Sequence, residues 1–422
     1  YVYRNYQVDL YPEHIRDQDY NSGNQWYLFS GSKREVENSG IEFEKVIRKS
    51  MYPENQTRNI IGIIDSGVNL QHQEFIGRNI KYNINSQLCS GFDGVDQVHQ
   101  DIKDYDILIS TGHGSVIAGE ICANWDGKGI IGIDNTAVFF PLISAKIYSP
   151  TNFNSKWSNF ENCFDEINMN INPNNPEDKI NLINFSFTVP EFQGIGANIL
   201  SNKLQYFNGF FVSVMQNENQ GNTELINHYV DAIKFIKVGA IDKKNNRTSP
   251  FYINLDFAPD ICAPGRVIFS TARKDGEAIN RYMSRTGCSF AAPIVTGTLS
   301  LIMRKFDSTY LIEYYNQGPT INEDDLRLLK YRNILMTSVD PIFKTNFCSN
   351  GYFTQDNMEP PEIAGAGKIN LYKALAPPFI YRINLYSINE SESDTIVYFC
   401  DGDLDGDGIL NYLDSDIDND NF

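Results

Sequence analysis

Ile60-Ile61-Gly62-Ile63-Ile64-Asp65-Ser66-Gly67-Val68 is the stretch on which the fold turns. It opens with five residues that carry no polar side chain, four of them isoleucine. A strand with one wet face alternates apolar and polar positions, so an unbroken β-branched run describes a strand buried on both faces. Similar runs stand at Ala137–Ile143, Ile180–Phe187, Phe210–Met215 and Ile236–Ile241. Between two of them Phe160, Cys163, Phe164 and Ile167 recur at i, i+3, i+4 and i+7, one face of a helix. Strands alternating with helices give βαβ units. The expected fold is α/β, a mostly parallel central sheet with helices on both faces.

Functional groups of an open parallel sheet gather beyond the carboxyl ends of its strands, where Asp65 falls. A second segment, Gly112-His113-Gly114-Ser115-Val116-Ile117-Ala118-Gly119, sets a His between glycines at the start of a small-residue helical pattern. Backbone or substrate can approach closely there. The third, Thr286-Gly287-Cys288-Ser289-Phe290-Ala291-Ala292-Pro293, puts Ser289 at the opening of a helix running through Val295, Thr298, Leu299 and Ile302 to about Lys305. A helix N-terminus favours developing negative charge. Singly, these are a helix cap, a packed His and a Ser N-cap. Together, in the chain order Asp, His, Ser, they specify a nucleophile, its base and the acid that orients the base.

The three segments resemble those of the subtilase family. Its D-[ST]-G is matched by Asp65-Ser66-Gly67, its H-G-[TS]-x-V-A-G by His113 to Gly119, and its G-T-S-x-A-x-P by Gly287-Cys288-Ser289-Phe290-Ala291-Ala292-Pro293. The likeness spans about 46 to 376, with further landmarks at Val238-Gly239-Ala240-Ile241-Asp242, Ala263-Pro264-Gly265 and Gly365 to Leu375. It implies a subtilisin-like fold and a serine endopeptidase that works through Asp65, His113 and Ser289. It implies that Asn217, ending Phe211 to Asn217, gives its side-chain amide to the oxyanion hole. It also implies that Ser186, Phe187 and Thr188 pair with an extended protein or peptide substrate. Departures are Gln216 for the usual Gly before Asn217, with Asn219 two residues after that Asn; Thr188 for Gly; Cys288 for Thr; and Phe290 for Met. Cys288 beside the nucleophile is tolerable as a small apolar residue, with sensitivity to thiol reagents as the other expectation. Gly119-Glu120-Ile121 and Asn24 to Leu28 are similar to the kexin-like branch, but the single acid Glu191 after Ser186 does not suit dibasic specificity. The competing reading is a catalytically silent subtilase fold acting as an extracellular structural or adhesive module. A Ser esterase of the α/β-hydrolase type is disfavoured, because there the nucleophile comes first and the His last.

The acidic tail carries the second signal. Asp403, Asp405, Asp407, Gly408, Asn411 and Asp414 fit positions 1, 3, 5, 6, 9 and 12 of a calcium loop. The tail is similar to thrombospondin type 3 or dockerin-like repeats, implying structural Ca2+; a solvated acidic terminus is the plainer reading. No organic cofactor is expected. The resulting organisation is an N-terminal extension over 1–45, a peptidase domain over 46–376, the start of a second β module over 377–400, and the calcium-type repeat over 401–422. Further C-terminal modules are expected outside this chain.

The formal charge of −18, from 53 acidic and 35 basic residues, argues against nucleic-acid binding. No apolar run is long enough to span a bilayer. The start at Tyr1, with no initiator Met and no apolar h-region, gives the expectation of a processed fragment from an extracellular or secretory-pathway protein. Seven Cys without a CxxC pair suggest buried thiols with one to three disulfides, not zinc. Sequons stand at Asn55, Asn184, Asn246 and Asn389, with Asn184 inside an apparent strand.

Overall fold

The structure is a computed structural model. It describes residues 17–29, 40–53, 58–79, 82–84, 87–100, 112–149, 152–168, 179–186, 202–204, 206–214, 233–242, 259–273, 278–306, 323–340, 342 and 365–376. In chain order these form α1 (Gln18–Ser22), α2 (Phe43–Arg48), β1 (Ile60–Asp65), β2 (Tyr82–Ile84), β3 (Gln87–Cys89), β4 (Gly91–Asp93) and β5 (Val98–Gln100). Next come α3 (His113–Cys122), β6 (Val138–Ile143), β7 (Ala145–Ser149), β8 (Asn152–Ser155), α4 (Trp157–Asn168), β9 (Ile180–Phe185), β10 (Phe210–Val214) and β11 (Phe235–Ile241). Last are β12 (Ile261–Pro264), β13 (Ile268–Ala272), β14 (Arg281–Arg285), α5 (Ala292–Phe306), α6 (Glu323–Thr337), β15 (Val339–Asp340), β16 (Lys368–Ile369) and α7 (Leu371–Leu375).

Ten strands form one sheet in the order β15-β16-β12-β11-β10-β9-β1-β6-β4-β5. Every neighbouring pair is parallel except the two at the edges, β15–β16 and β4–β5. The apolar run at Ile60 occupies the middle, and all six residues of β1 are buried. Its side chains divide by the two-residue period of a strand. Ile61 and Ile63 share one buried cluster with Val116 and Ile117 of α3 and Ile294 and Val295 of α5. Ile60 and Ile64 face α4 through Phe160, Cys163, Phe164 and Ile167, the stripe expected from spacing. Helices thus cover both faces, as the sequence predicts.

Residues 17–29 pack into the first of these cores. Trp26, Tyr27, Leu28 and Phe29 are buried there. Trp26 Nε1 donates to Val267 O at 3.0 Å and Tyr27 OH to Phe269 O at 3.3 Å, so this segment lies against β13. A buried ion pair ties α5 to the loop before β6: Arg304 Nη1 meets Asp134 Oδ1 at 2.8 Å. Asp134 also accepts from Ser300 Oγ, Thr136 Oγ1 and the Ala137 amide, which leaves its charge fully solvated by donors.

Two sequence expectations bear on described residues. Cys89, Cys122, Cys163, Cys262 and Cys288 are buried thiols, so no disulfide forms among the described cysteines; Cys348 and Cys400 lie outside the described residues. The five act as small apolar core residues. Asn184 is excluded as a glycan acceptor, because it is fully buried and its amide is engaged on both sides. Asn55, Asn246, Asn389 and the segments 377–400 and 401–422 lie outside the described residues.

Candidate active site

Asp65 is the last residue of β1 and has no exposed surface. Its Oδ1 accepts from the Ser66 amide at 2.7 Å. His113 Nδ1 stands 2.9 Å from Oδ1 and 3.0 Å from Oδ2. A carboxylate only accepts, so the Nδ1 proton faces Asp65 and the Nε2 lone pair points elsewhere. That is the tautomer a general base needs.

The approach depends on glycine. Gly112 holds φ +75°, a left-handed conformation that lets the chain turn into α3. A Cβ on Gly114 would lie 2.2 Å from Gly67 O and 3.1 Å from Asp65 Oδ1. The first turn of α3 is therefore pressed onto the end of β1, closer than any side chain allows. From the other side, Thr271 Oγ1 donates to Ser115 O at 2.6 Å and Ser270 Oγ to Val116 O at 2.7 Å. Ser115 Oγ in turn accepts from the Asn69 amide at 2.8 Å. The helix that carries the imidazole is held at both ends of its first turn.

Ser289 does not begin the α-helix directly. It sits in a 3-10 turn, Cys288–Phe290, and α5 starts at Ala292 with Pro293 in its first turn, where a missing N–H costs nothing. The turn is anchored to the sheet by the Gly287 amide on Gly265 O at 2.8 Å and the Gly265 amide on Ile241 O at 2.9 Å. Ser289 keeps 8% exposure at the floor of the site. The next residue, Phe290, lays its ring against the imidazole, centroid to centroid 5.3 Å and tilted 54°. The structure thus joins Asp65 to His113 by hydrogen bonds, and His113 to the serine turn by an aromatic contact.

Cys288 corrects another expectation. It has no exposed surface, and burial pushes its thiol up to about 12. The thiolate is the reactive form, so this cysteine is inert in the fold. Ser186 follows β9, is buried, and accepts from Asn184 Nδ2 at 2.9 Å. Thr296 Oγ1, one turn into α5, donates to Asn184 Oδ1 at 2.9 Å. This tie fixes the end of β9 to the helix behind Ser289. Its sequence signal was an Asn inside an apolar strand, since a buried amide needs partners. Phe187, Thr188, Asn217, Asp403, Asp405, Asp407, Asn411 and Asp414 lie outside the described residues. Among the described residues no group of three or more His, Cys, Asp or Glu side chains is arranged to hold a metal ion. No described helix is long and apolar enough to cross a membrane.

Known proteins match this chain over the same region. The model of the subtilase family matches residues 57–355. The major intracellular serine protease of Bacillus subtilis (strain 168) is 27% identical over 251 residues, covering 57% of this chain and 67% of that protein. Subtilisin-like protease 1 of Plasmodium berghei (strain Anka) is 26% identical over 276 residues, covering 58% of this chain and 42% of the relative. The matches thus take in between two fifths and two thirds of these relatives' lengths. Fervidolysin from Fervidobacterium pennivorans, a keratinolytic enzyme related to subtilisin, shares the fold with a TM-score of 0.56 at 16% identity, over 86% of this chain and 46% of that one. A protease from Pseudoalteromonas arctica gives 0.55 at 15%, over 85% of this chain and 98% of that one.

Proposed function

The chain belongs to the subtilase family, and we propose that it is a serine endopeptidase whose nucleophile is Ser289, whose general base is His113 and whose orienting acid is Asp65. One observation carries the reading: a buried carboxylate holds His113 by Nδ1, at 2.9 Å, while the imidazole touches the turn that bears Ser289. A Ser hydroxyl is a weak nucleophile at neutral pH and needs a base beside it. His113 Nε2 takes the proton as Ser289 Oγ attacks the peptide carbonyl, and Asp65 stabilises the imidazolium that results. The collapsing intermediate returns that proton to the leaving amine, and water repeats the cycle on the acyl-enzyme.

The tetrahedral oxyanion would be met by the Ser289 amide and the Asn217 side chain. Loss of one such donor costs about 3 kcal/mol, the size found for the corresponding amide in subtilisin. A protein or peptide substrate would lie extended along Ser186, Phe187 and Thr188 by strand addition. Structural Ca2+ in the tail, on Asp403, Asp405, Asp407, Asn411 and Asp414, rests on the spacing of those residues. That tail is also what supports an extracellular or secretory-pathway setting. Five unbridged thiols give the setting no support, since disulfides accompany oxidising compartments.

A fluorophosphonate probe tests the chemistry. Labelling of the folded chain that disappears in Ser289→Ala is the expected result. A folded chain left unlabelled refutes the enzyme and favours a silent, structural role. A peptide library cleaved with and without a chelator then reads specificity and the calcium requirement together.

A further inference from the structure

We infer that Phe290 is a positioning residue, whose ring sets the plane of the His113 imidazole and keeps water from one of its faces; this rests on the roles given above to Ser289, His113 and Asp65. The hydrogen bond from Nδ1 is shared almost equally between Asp65 Oδ1 and Oδ2, at 2.9 and 3.0 Å. A proton shared in this way fixes the position of one ring atom. With Cβ tethered, that bond still leaves play in the two side-chain torsions, because either oxygen accepts as the ring shifts. Proton transfer needs more: Nε2 must stay on the Ser289 hydroxyl through attack and through return of the proton to the amine. The link through Cβ cannot supply all of that restraint, since χ1 and χ2 keep room to move within their wells. A wall against the ring can.

Phe290 is that wall. Its ring stands 5.3 Å from the imidazole at a tilt of 54°, and it is 5% exposed, so it has nowhere to retreat. It also lies over Gly287, where a Cβ would stand 3.6 Å from Phe290 Cδ2 and Cε2. Its amide is bonded to Gly287 O at 3.1 Å. Because Phe290 follows Ser289 directly, the nucleophile and the wall ride on one turn, and the turn is tied to β11 through Gly265. A shift of the serine carries the imidazole with it. The His113 side chain keeps 22% exposure, which leaves an open side for the substrate. No atom changes partner through Phe290: the Ser289 proton passes to Nε2 and on to the amine, and Nδ1 keeps its own.

Two measurements decide the matter. In the Ser289→Ala background, with histidine labelled by 15N, the Nδ1 proton of His113 is followed by NMR for exchange with water. Phe290→Ala speeds that exchange by about tenfold or more, whereas Phe290→Leu, which refills the space, keeps it within about threefold. In the active chain Phe290→Ala lowers kcat about 10- to 100-fold with KM changed less than about twofold, and Phe290→Leu recovers most of the loss. Urea midpoints of both variants separate a loss of folded protein from a loss of rate. Unchanged exchange in Phe290→Ala overturns the inference, as does an equal fall in kcat for Ala and Leu, or a change confined to KM. If the unsubstituted chain takes no fluorophosphonate label, the endopeptidase reading fails by itself, and the exchange experiment still rules on Phe290.

Discussion

Glu120 sits two turns along α3 from the imidazole, with no exposed surface and with neither carboxyl oxygen hydrogen-bonded among the described residues. Its helix packs in a cluster with Tyr27, Ile117 and Ile121. Burial pushes its carboxyl well above the ordinary 4.5, so the folded chain holds it neutral. The unfolded chain releases that proton near 4.5. Folding then takes up a proton at any pH above that value, and stability falls as pH rises. The slope is about 1.4 kcal/mol per pH unit for as long as the folded carboxyl stays protonated. Glu120→Gln keeps the shape and is neutral in both states. Its stability advantage over the parent should be near zero at pH 4 and grow by about 1.4 kcal/mol for each unit above pH 5 for as long as the folded carboxyl stays protonated. Glu120→Leu removes the unpaired polar group as well and gains about 1–3 kcal/mol more at every pH. Urea unfolding at pH 4, 5, 6 and 7 in the Ser289→Ala background, which prevents self-digestion, measures both. A difference between parent and Glu120→Gln that does not move with pH would refute the reasoning, because it would mean that the folded carboxyl is charged and paired.

His72 gives the opposite sign. Burial lowers it from 6.5 to about 4, with Nε2 donating to Arg281 O at 3.0 Å and Nδ1 accepting from the Glu74 amide. The unfolded chain protonates first on acidification, so about 3 kcal/mol is lost between pH 6.5 and 4, and His72→Gln flattens that limb in urea titrations. Arg304→Met strands the Asp134 charge in the core and costs about 3–5 kcal/mol by the same assay; a loss below about 1 kcal/mol would mean that Ser300, Thr136 and Ala137 satisfy Asp134 unaided. Iodoacetamide at pH 8 leaves Cys288 unmodified and the probe labelling of Ser289 intact until urea opens the fold; modification of the native protein at Cys288 would contradict its burial.

The parts of this fold that were legible in the sequence are those whose physics is local. A strand between two helical layers has no wet face, so Ile60 to Ile64 announces itself without its neighbours. A helix with one buried face repeats at three and four, so α4 is visible in Phe160, Cys163, Phe164 and Ile167. The residues proposed as catalytic were legible for a different reason. Each must stand at an element's end with backbone close by, and glycine permits that approach, as Gly112 and Gly114 do for His113. Pairings across the chain leave no such trace. Arg304 and Asp134 are 170 residues apart, and nothing in either segment names the other. The cysteines looked able to cross-link because sequence counts thiols without their distances, and the structure buries five of them as thiols.

Phe290 shows why a departure from a family's habit is a poor guide until geometry is known. As a letter in a motif it was only a Phe where the family usually has Met. In the fold its ring lies against the imidazole and over Gly287, so its bulk bears on His113, whose side chain keeps 22% exposure. The same logic covers Cys288, whose meaning changes from reactive to inert once it is seen to have no exposed surface. Neither substitution removes a group that donates, accepts or carries a proton in the reaction. What they alter is the packing that holds such groups still, and rates respond to packing of this kind because a misplacement near 1 Å can cost about a hundredfold.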